Sequence, residues 1–136
     1  MPAEVFFDTS ILVYLLATVD PRTIVAQELL AASGTISVQV LNEFAAVAKR
    51  KTPMTSPQIE EALADIRLFC EAPVVALTTE IHESAIHIAQ RFGFHIYDSV
   101  IVASAIKAGC TTLYSEDMQH NQIIETLTIR NPFLRR

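Results

Sequence analysis

The sequence predicts a three-layer α/β domain built on a mainly parallel central sheet. Short β-branched or aromatic runs alternate along the chain with segments of helical apolar spacing, and that alternation is the mark of a parallel sheet with crossover helices. Acidic residues also recur where predicted strands end and predicted helices begin. In a parallel α/β sheet those positions share one edge, the edge at which ligands bind.

Val5-Phe6-Phe7 reads as the first strand and delivers Asp8 at its end, with Thr9 and Ser10 behind it. Ile11 to Ala17 continue apolar as a first helix. Asp20-Pro21 is a cap followed by proline at the first helical position. The helix it opens should bury Ile24, Val25, Leu29 and Ala32 and stop at Gly34. Thr35-Ile36-Ser37 is a brief second strand, followed at once by a helix from Val38 to Arg50. The apolar stripe of that helix is Val40, Leu41, Phe44, Val47 and Ala48, and Glu43 lies unusually close to it. Lys49-Arg50-Lys51 suits a helix C-terminus, a reading preferred over a nucleic-acid patch.

Ser56-Pro57 repeats the cap-and-proline signal and opens a helix to Glu71, with Ile59, Leu63, Ile66 and Cys70 on one face. Val74 to Leu77 is a third strand, and Thr79 to Phe92 the next helix. Ile96 to Ala108 reads as a buried helix with Asp98 in its first turn, where an anion suits the helix dipole, and with Gly109 as its stop. Cys110 to Tyr114 is a strand that ends in Ser115-Glu116-Asp117. The turn at Gly109 is short, so helix and strand run antiparallel, and Asp98 should meet Asp117 at one sheet edge. A polar turn, Met118 to Gln122, precedes a last strand, Leu127 to Ile129, and Arg135-Arg136 form a basic tail.

A chain of 136 residues, 51% hydrophobic with few Gly and Pro, suits a single domain spanning residues 1–136. No apolar run reaches the roughly 20 residues of a membrane span, and Met1-Pro2-Ala3-Glu4 lacks a basic leader, so a cytoplasmic protein with no membrane contact is expected. Cys70 and Cys110 are expected as buried, reduced thiols. A net charge of −5 argues against nucleic acid, unless several acids hold cations, in which case the rest of the chain is close to neutral.

Asp8, Glu43, Asp98 and Asp117 are thus four acids, distant in sequence, expected at one edge without basic partners. Such a cluster repels itself strongly in a low-dielectric cleft. A divalent cation resolves the conflict, and hard oxygen donors suit Mg²⁺ or Mn²⁺.

Phe7-Asp8-Thr9-Ser10, Asn42-Glu43-Phe44, Tyr97-Asp98-Ser99 with Val102-Ala103-Ser104-Ala105, and Leu113-Tyr114-Ser115-Glu116-Asp117 together resemble the PIN domain family. Within it the chain is similar to the VapC-type toxin ribonucleases of prokaryotic toxin–antitoxin pairs, and the likeness covers nearly the whole chain. The resemblance implies a PIN-like fold and Asp8, Glu43, Asp98 and Asp117 as the catalytic quartet that binds Mg²⁺ or Mn²⁺. It also implies Thr9, Ser10 and Ser115 as supporting or water-binding groups, with Glu116 an open competitor or helper of Asp117. The implied reaction is metal-assisted hydrolysis of RNA to 5′-phosphate products, and the implied partner is a small antitoxin. Similar sequences often carry Gly in the turn after the last acid, where this chain has His120-Asn121; Asn tolerates left-handed geometry. Apolar residues of the helices Pro21 to Ala32 and Pro57 to Cys70 suit a homodimer face, and a core role explains most of them equally well.

Two alternatives stay open: a PIN-fold RNA-processing nuclease without an antitoxin, and a non-catalytic RNA- or protein-binding module. His82-Glu83-Ser84-Ala85-Ile86-His87 is not a zinc-protease motif, because histidines five apart on a helix lie about 140° apart. His95 and His120 are assigned to loops and surface roles, and Tyr97 to packing or base stacking.

Overall fold

In the computed structural model, which describes residues 4–17 and 19–134, one four-stranded sheet runs in the order β1-β2-β4-β3. The strands are β1 (Val5–Phe7), β2 (Thr112–Tyr114), β3 (Ile123–Ile124) and β4 (Leu127–Arg130). β1 pairs parallel with β2, β2 parallel with β4, and β3 antiparallel with β4, so the sheet is mainly parallel as expected. Successive side chains of a strand point to opposite faces, yet Val5, Phe6 and Phe7 are all buried. Both faces of the sheet are therefore covered, as parallel strands require. Met1-Pro2-Ala3 and the Arg135-Arg136 tail lie outside the described residues.

Among the described residues six α-helices accompany the strands: α1 (Thr9–Leu12), α2 (Pro21–Ala31), α3 (Val38–Lys51), α4 (Ser56–Phe69), α5 (Thr79–Phe92) and α6 (Ile96–Lys107). Among the described residues no single helix is long and apolar enough to cross a membrane. The most buried helix is α6, with Ser99 to Ala105 inaccessible, and Gly109 ends it in the left-handed region at φ 78°. It packs most extensively on α5, which spans the expected residues and turns Ile81, Ala85 and Ile88 inward. Cys70 and Cys110 are buried and unpaired, and burial pushes both thiols up, Cys70 to about 11.

Several sequence expectations need correction. The first helix begins at Thr9 rather than Ile11 and tightens into a 3₁₀ turn over Val13–Leu16. On α2 the buried residues are Ala26 and Leu30, whereas Ile24 is 62% exposed and Ala32 lies on the surface. The helix meets its neighbours along a line shifted from the one its larger apolar residues suggest. Thr35-Ile36-Ser37 and Val74 to Leu77 do not form strands; each contributes to isolated parallel bridges, Phe6 with Thr35 and Ser37 with Val75. With α3 starting at Val38 under its Ser37 cap, the extended run is cut before a ladder can form. The cap of α4 is Thr55, not Ser56. Thr55 and Gln58 exchange the two bonds of a capping box, and the helix ends at Phe69 rather than Glu71. β3 is not legible in the sequence, because two isoleucines between polar turns carry too little periodicity to announce a strand.

Gly34 is not the stop of α2. Ser33 takes the left-handed turn at φ 72°, while Gly34 is needed for space. A Cβ at Gly34 would lie 2.6 Å from Cε2 of Phe7, a ring only 1% exposed and unable to yield. Gly34→Ala is therefore expected to destabilise the fold by about 1–3 kcal/mol through overpacking. A thermal melt matching the wild type would contradict this contact.

Candidate active site

Asp8 leaves the end of β1 and stands at the N-cap of α1. It is 3% exposed. The hydroxyls of Ser10 and Ser115 both donate to its Oδ2, at 2.6 and 2.9 Å. Burial outweighs these bonds, and the charges of Asp98 and Asp117 add to it, so the carboxyl is pushed up to about 6.

Asp98 lies in the first turn of α6, and Asp117 follows β2. Burial raises the pKa of Asp98, and the charges of Asp117 and Glu43 raise it further, against the opposing effect of His95. Asp117 is raised by burial, then by Glu116 and Glu43. The short turn at Gly109 has brought the start of α6 and the end of β2 to one sheet edge, as the sequence predicted. Glu43 projects from α3 and is fixed at both oxygens: Thr9 Oγ1 donates to Oε1 at 2.7 Å and Gln39 Nε2 donates to Oε2 at 2.8 Å. Among the described residues no lysine or arginine forms an ion pair with Asp8, Glu43, Asp98 or Asp117.

Thr9, Ser10 and Ser115 are thus groups that hold the acids. Ser115 also accepts from the backbone N–H of Asp117 and Met118, and Ser10 accepts from that of Glu116. The two serines tie the loop after β2 to Asp8. Glu116, whose charge helps raise Asp117, has its own carboxylate held by other groups. The Tyr14 hydroxyl donates to its Oε1, and Arg22 Nη1 donates to Oε2 at 3.2 Å. Arg22 also lies over the Tyr14 ring, 4.5 Å from its centroid, which completes a polar clamp on Glu116.

One family model matches residues 5–124, the PIN domain. The chain belongs to the PIN domain family. This PIN domain is similar in structure to Mycobacterium tuberculosis VapC20, whose crystal structure is described as that of a sarcin–ricin loop cleaving toxin. The TM-score is 0.69 at 26% identity, over 84% of this chain and 90% of that one. A toxin–antitoxin complex from Klebsiella pneumoniae shares the fold, with a TM-score of 0.72 at 19% identity over 96% and 98% of the two chains. Comparison with curated protein sequences finds no match.

Four hard carboxylate donors with no basic counterions fit Mg²⁺ or Mn²⁺ in donor chemistry. The arrangement is open rather than a preformed cage: among the described residues no three Asp, Glu, His or Cys side chains are close enough together to hold an ion.

A cleft of about 410 Å³ opens beside the acids, lined in part by Thr9, Glu43, Asp117, Arg50 and Lys51. Arg50 and Lys51 do lie in the last turn of α3, where cations suit the dipole, but they also face the cleft. The spacing from Glu43, seven and eight residues along one helix, was the signal available for this. His95, expected in a loop, is the N-cap of α6, its Nδ1 accepting from the Tyr97 N–H at 3.2 Å. His120 holds a turn by accepting from the Asn131 N–H at 2.9 Å, and Asn121 beside it adopts φ 68°, the left-handed geometry a glycine would take. His82 and His87 are both exposed on α5.

Proposed function

We propose that the chain is a Mg²⁺- or Mn²⁺-dependent endoribonuclease and the toxin of a type II toxin–antitoxin pair, acting as one domain. The observation that carries the reading is Asp8, a buried carboxylate with a raised pKa, coupled to Asp98 and Asp117 and without a basic partner. A structural capping residue gains nothing from that environment. The likeness to VapC20, described as a sarcin–ricin loop cleaving toxin, supports RNA as substrate, and the second neighbour supports an antitoxin partner. Asp8, Glu43, Asp98 and Asp117 are assigned as metal-binding and catalytic residues. Glu116, engaged by Tyr14 and Arg22, is assigned to anchoring the loop that carries Asp117.

A bound divalent cation supplies an acidified water and offsets charge on the phosphate undergoing attack. The protein's part is to hold the donors for it. Ser10 and Ser115 orient Asp8, and Thr9 and Gln39 orient Glu43. The first turn of α6 presents Asp98 at a helix N-terminus, where the dipole offsets part of the cost of its burial. No serine, cysteine or histidine is required as nucleophile. The surface open to an antitoxin or a second copy includes the exposed Ile24 of α2 and Leu68 and Phe69 of α4.

Purified, antitoxin-free protein incubated with total RNA should cut it with Mg²⁺ or Mn²⁺, leave 5′-phosphate ends, and stop in EDTA. Cleavage that continues undiminished in EDTA would overturn the reading.

A further inference from the structure

Glu43 and Asp117 of the acidic site line the cleft, and Arg50 and Lys51 line it further along the same helix as Glu43. Seven residues at 100° per step return Arg50 to within about 20° of Glu43 around α3, and Lys51 lies about 80° from it. Lys49, at about 120°, points elsewhere and does not line the cleft. Both cleft cations are exposed, and among the described residues neither forms an ion pair or a side-chain hydrogen bond. Among the described residues only Arg22 and Lys107 form ion pairs, so what sets Arg50 and Lys51 apart from Lys49, Arg67, Arg91 and Arg130 is their place in the lining of the cleft. Two exposed cations that line the groove of Glu43, Glu116 and Asp117, with no carboxylate of the chain paired to them, are placed to meet an anion from outside.

We propose that Arg50 and Lys51 form the phosphate-binding rim of the substrate groove and hold the RNA backbone to one side of the cleavage point. This rests on the ribonuclease reading and adds a direction to it. A rise of 1.5 Å per residue puts Arg50 about 10 Å along the axis from Glu43. The charges of a stacked strand rise about 3.4 Å apart, so the rim meets the backbone roughly three nucleotides from the phosphate at the acids. The strand therefore runs along α3 from Glu43 towards Lys51. The acidic end is the part that repels a bare phosphodiester, and the rim supplies the attraction that offsets it. Arg50 and Lys51 are positioning residues: they act on where the RNA lies, not on the reacting atoms.

The test is binding of a short fluorescein-labelled single-stranded RNA, followed by anisotropy at several salt concentrations. An Asp98→Asn background keeps the RNA uncut. The double variant Arg50→Ala/Lys51→Ala should weaken binding by about tenfold and flatten the salt dependence by about 1.4 in log–log slope, the loss of two single-strand contacts. Lys49→Ala removes the same kind of charge from the same helix end and should change binding less than about twofold, since the dipole contribution is shared but the groove is not. In the otherwise wild-type enzyme the double variant should raise KM with kcat held within about threefold, the pattern of lost uniform binding. If the alanines unfold the helix end, Arg50→Gln/Lys51→Gln keeps long side chains and removes the charge. Unchanged affinity and salt slope in a folded double variant would overturn the rim, as would equal weakening by Lys49→Ala. RNA bound with this dependence by a wild-type protein that never cuts it would uphold the rim and sink the ribonuclease reading.

Discussion

Asp98→Asn is expected to cut RNA cleavage by on the order of 10³-fold while leaving the protein folded. Asp98 is half-buried at the start of α6, with the charges of Asp117 and Glu43 raising its pKa and no cation paired to it. An amide has the same shape but carries no charge. Metal assistance is worth several kcal/mol in the transition state, and about 4 kcal/mol corresponds to three decades of rate. Stability should hardly suffer. The helix loses a favourable charge near its N-terminus, worth about 0.3–1 kcal/mol, but the repulsion from Asp117 and Glu43 disappears with it. Rates measured on one RNA in Mn²⁺, beside circular dichroism of both proteins, check this. A folded variant cutting at the wild-type rate would remove Asp98 from the chemistry.

Asp8→Asn is expected to stabilise the metal-free protein at pH 7.5, even though it should abolish activity. A carboxyl held at about 6 in the fold, against an ordinary 3.8, binds its proton more tightly folded than unfolded. Stability therefore falls as the pH rises from about 4 and levels off once the pH has passed about 6. The gap corresponds to about 3 kcal/mol when Asp8 is fully ionised, at 1.36 kcal/mol per tenfold. Asn removes that cost. Both serine hydroxyls donate to a single oxygen, Oδ2, so the amide carbonyl can take its place without losing a bond. A rise of about 5–10 °C in the melting temperature at pH 7.5 is expected, shrinking towards zero near pH 4. Excess Mn²⁺ should reverse the order by stabilising the wild type alone. A lower melting temperature for metal-free Asp8→Asn at pH 7.5 would contradict the electrostatic cost assigned to Asp8.

What was legible in the sequence follows from how local each signal is. Capped helices and strands that end in an acid are local, so α5 and α6 fall where they were expected and the fold class follows from their alternation with strands. The meeting of Asp98 with Asp117 was also legible, because the Gly109 turn is too short for any other path. The buried face of α2 was not, because small Ala26 is the contact and large Ile24 is not, a choice made by partners elsewhere in the chain. The bridges at Thr35 and Val75 depend on tertiary pairing of single residues and carry no period to read. At the site, acids are conspicuous in a sequence but their hydrogen-bond partners are not. Nothing near Glu116 announces that Tyr14 and Arg22, about a hundred residues earlier, engage its carboxylate. Arg50 and Lys51 look like ordinary helix-end cations until the cleft shows which way they face.

Whether the uncompensated acids form one cation-holding hydrolytic site is decided by calorimetric titration of Mn²⁺ into the wild type and Asp8→Asn at pH 7.5 and pH 5.5. Saturable binding by the wild type is expected at pH 7.5, weaker binding at pH 5.5, where Asp8 is largely protonated, and none by Asp8→Asn at either pH. Equal, pH-independent binding by the two proteins would contradict such a site.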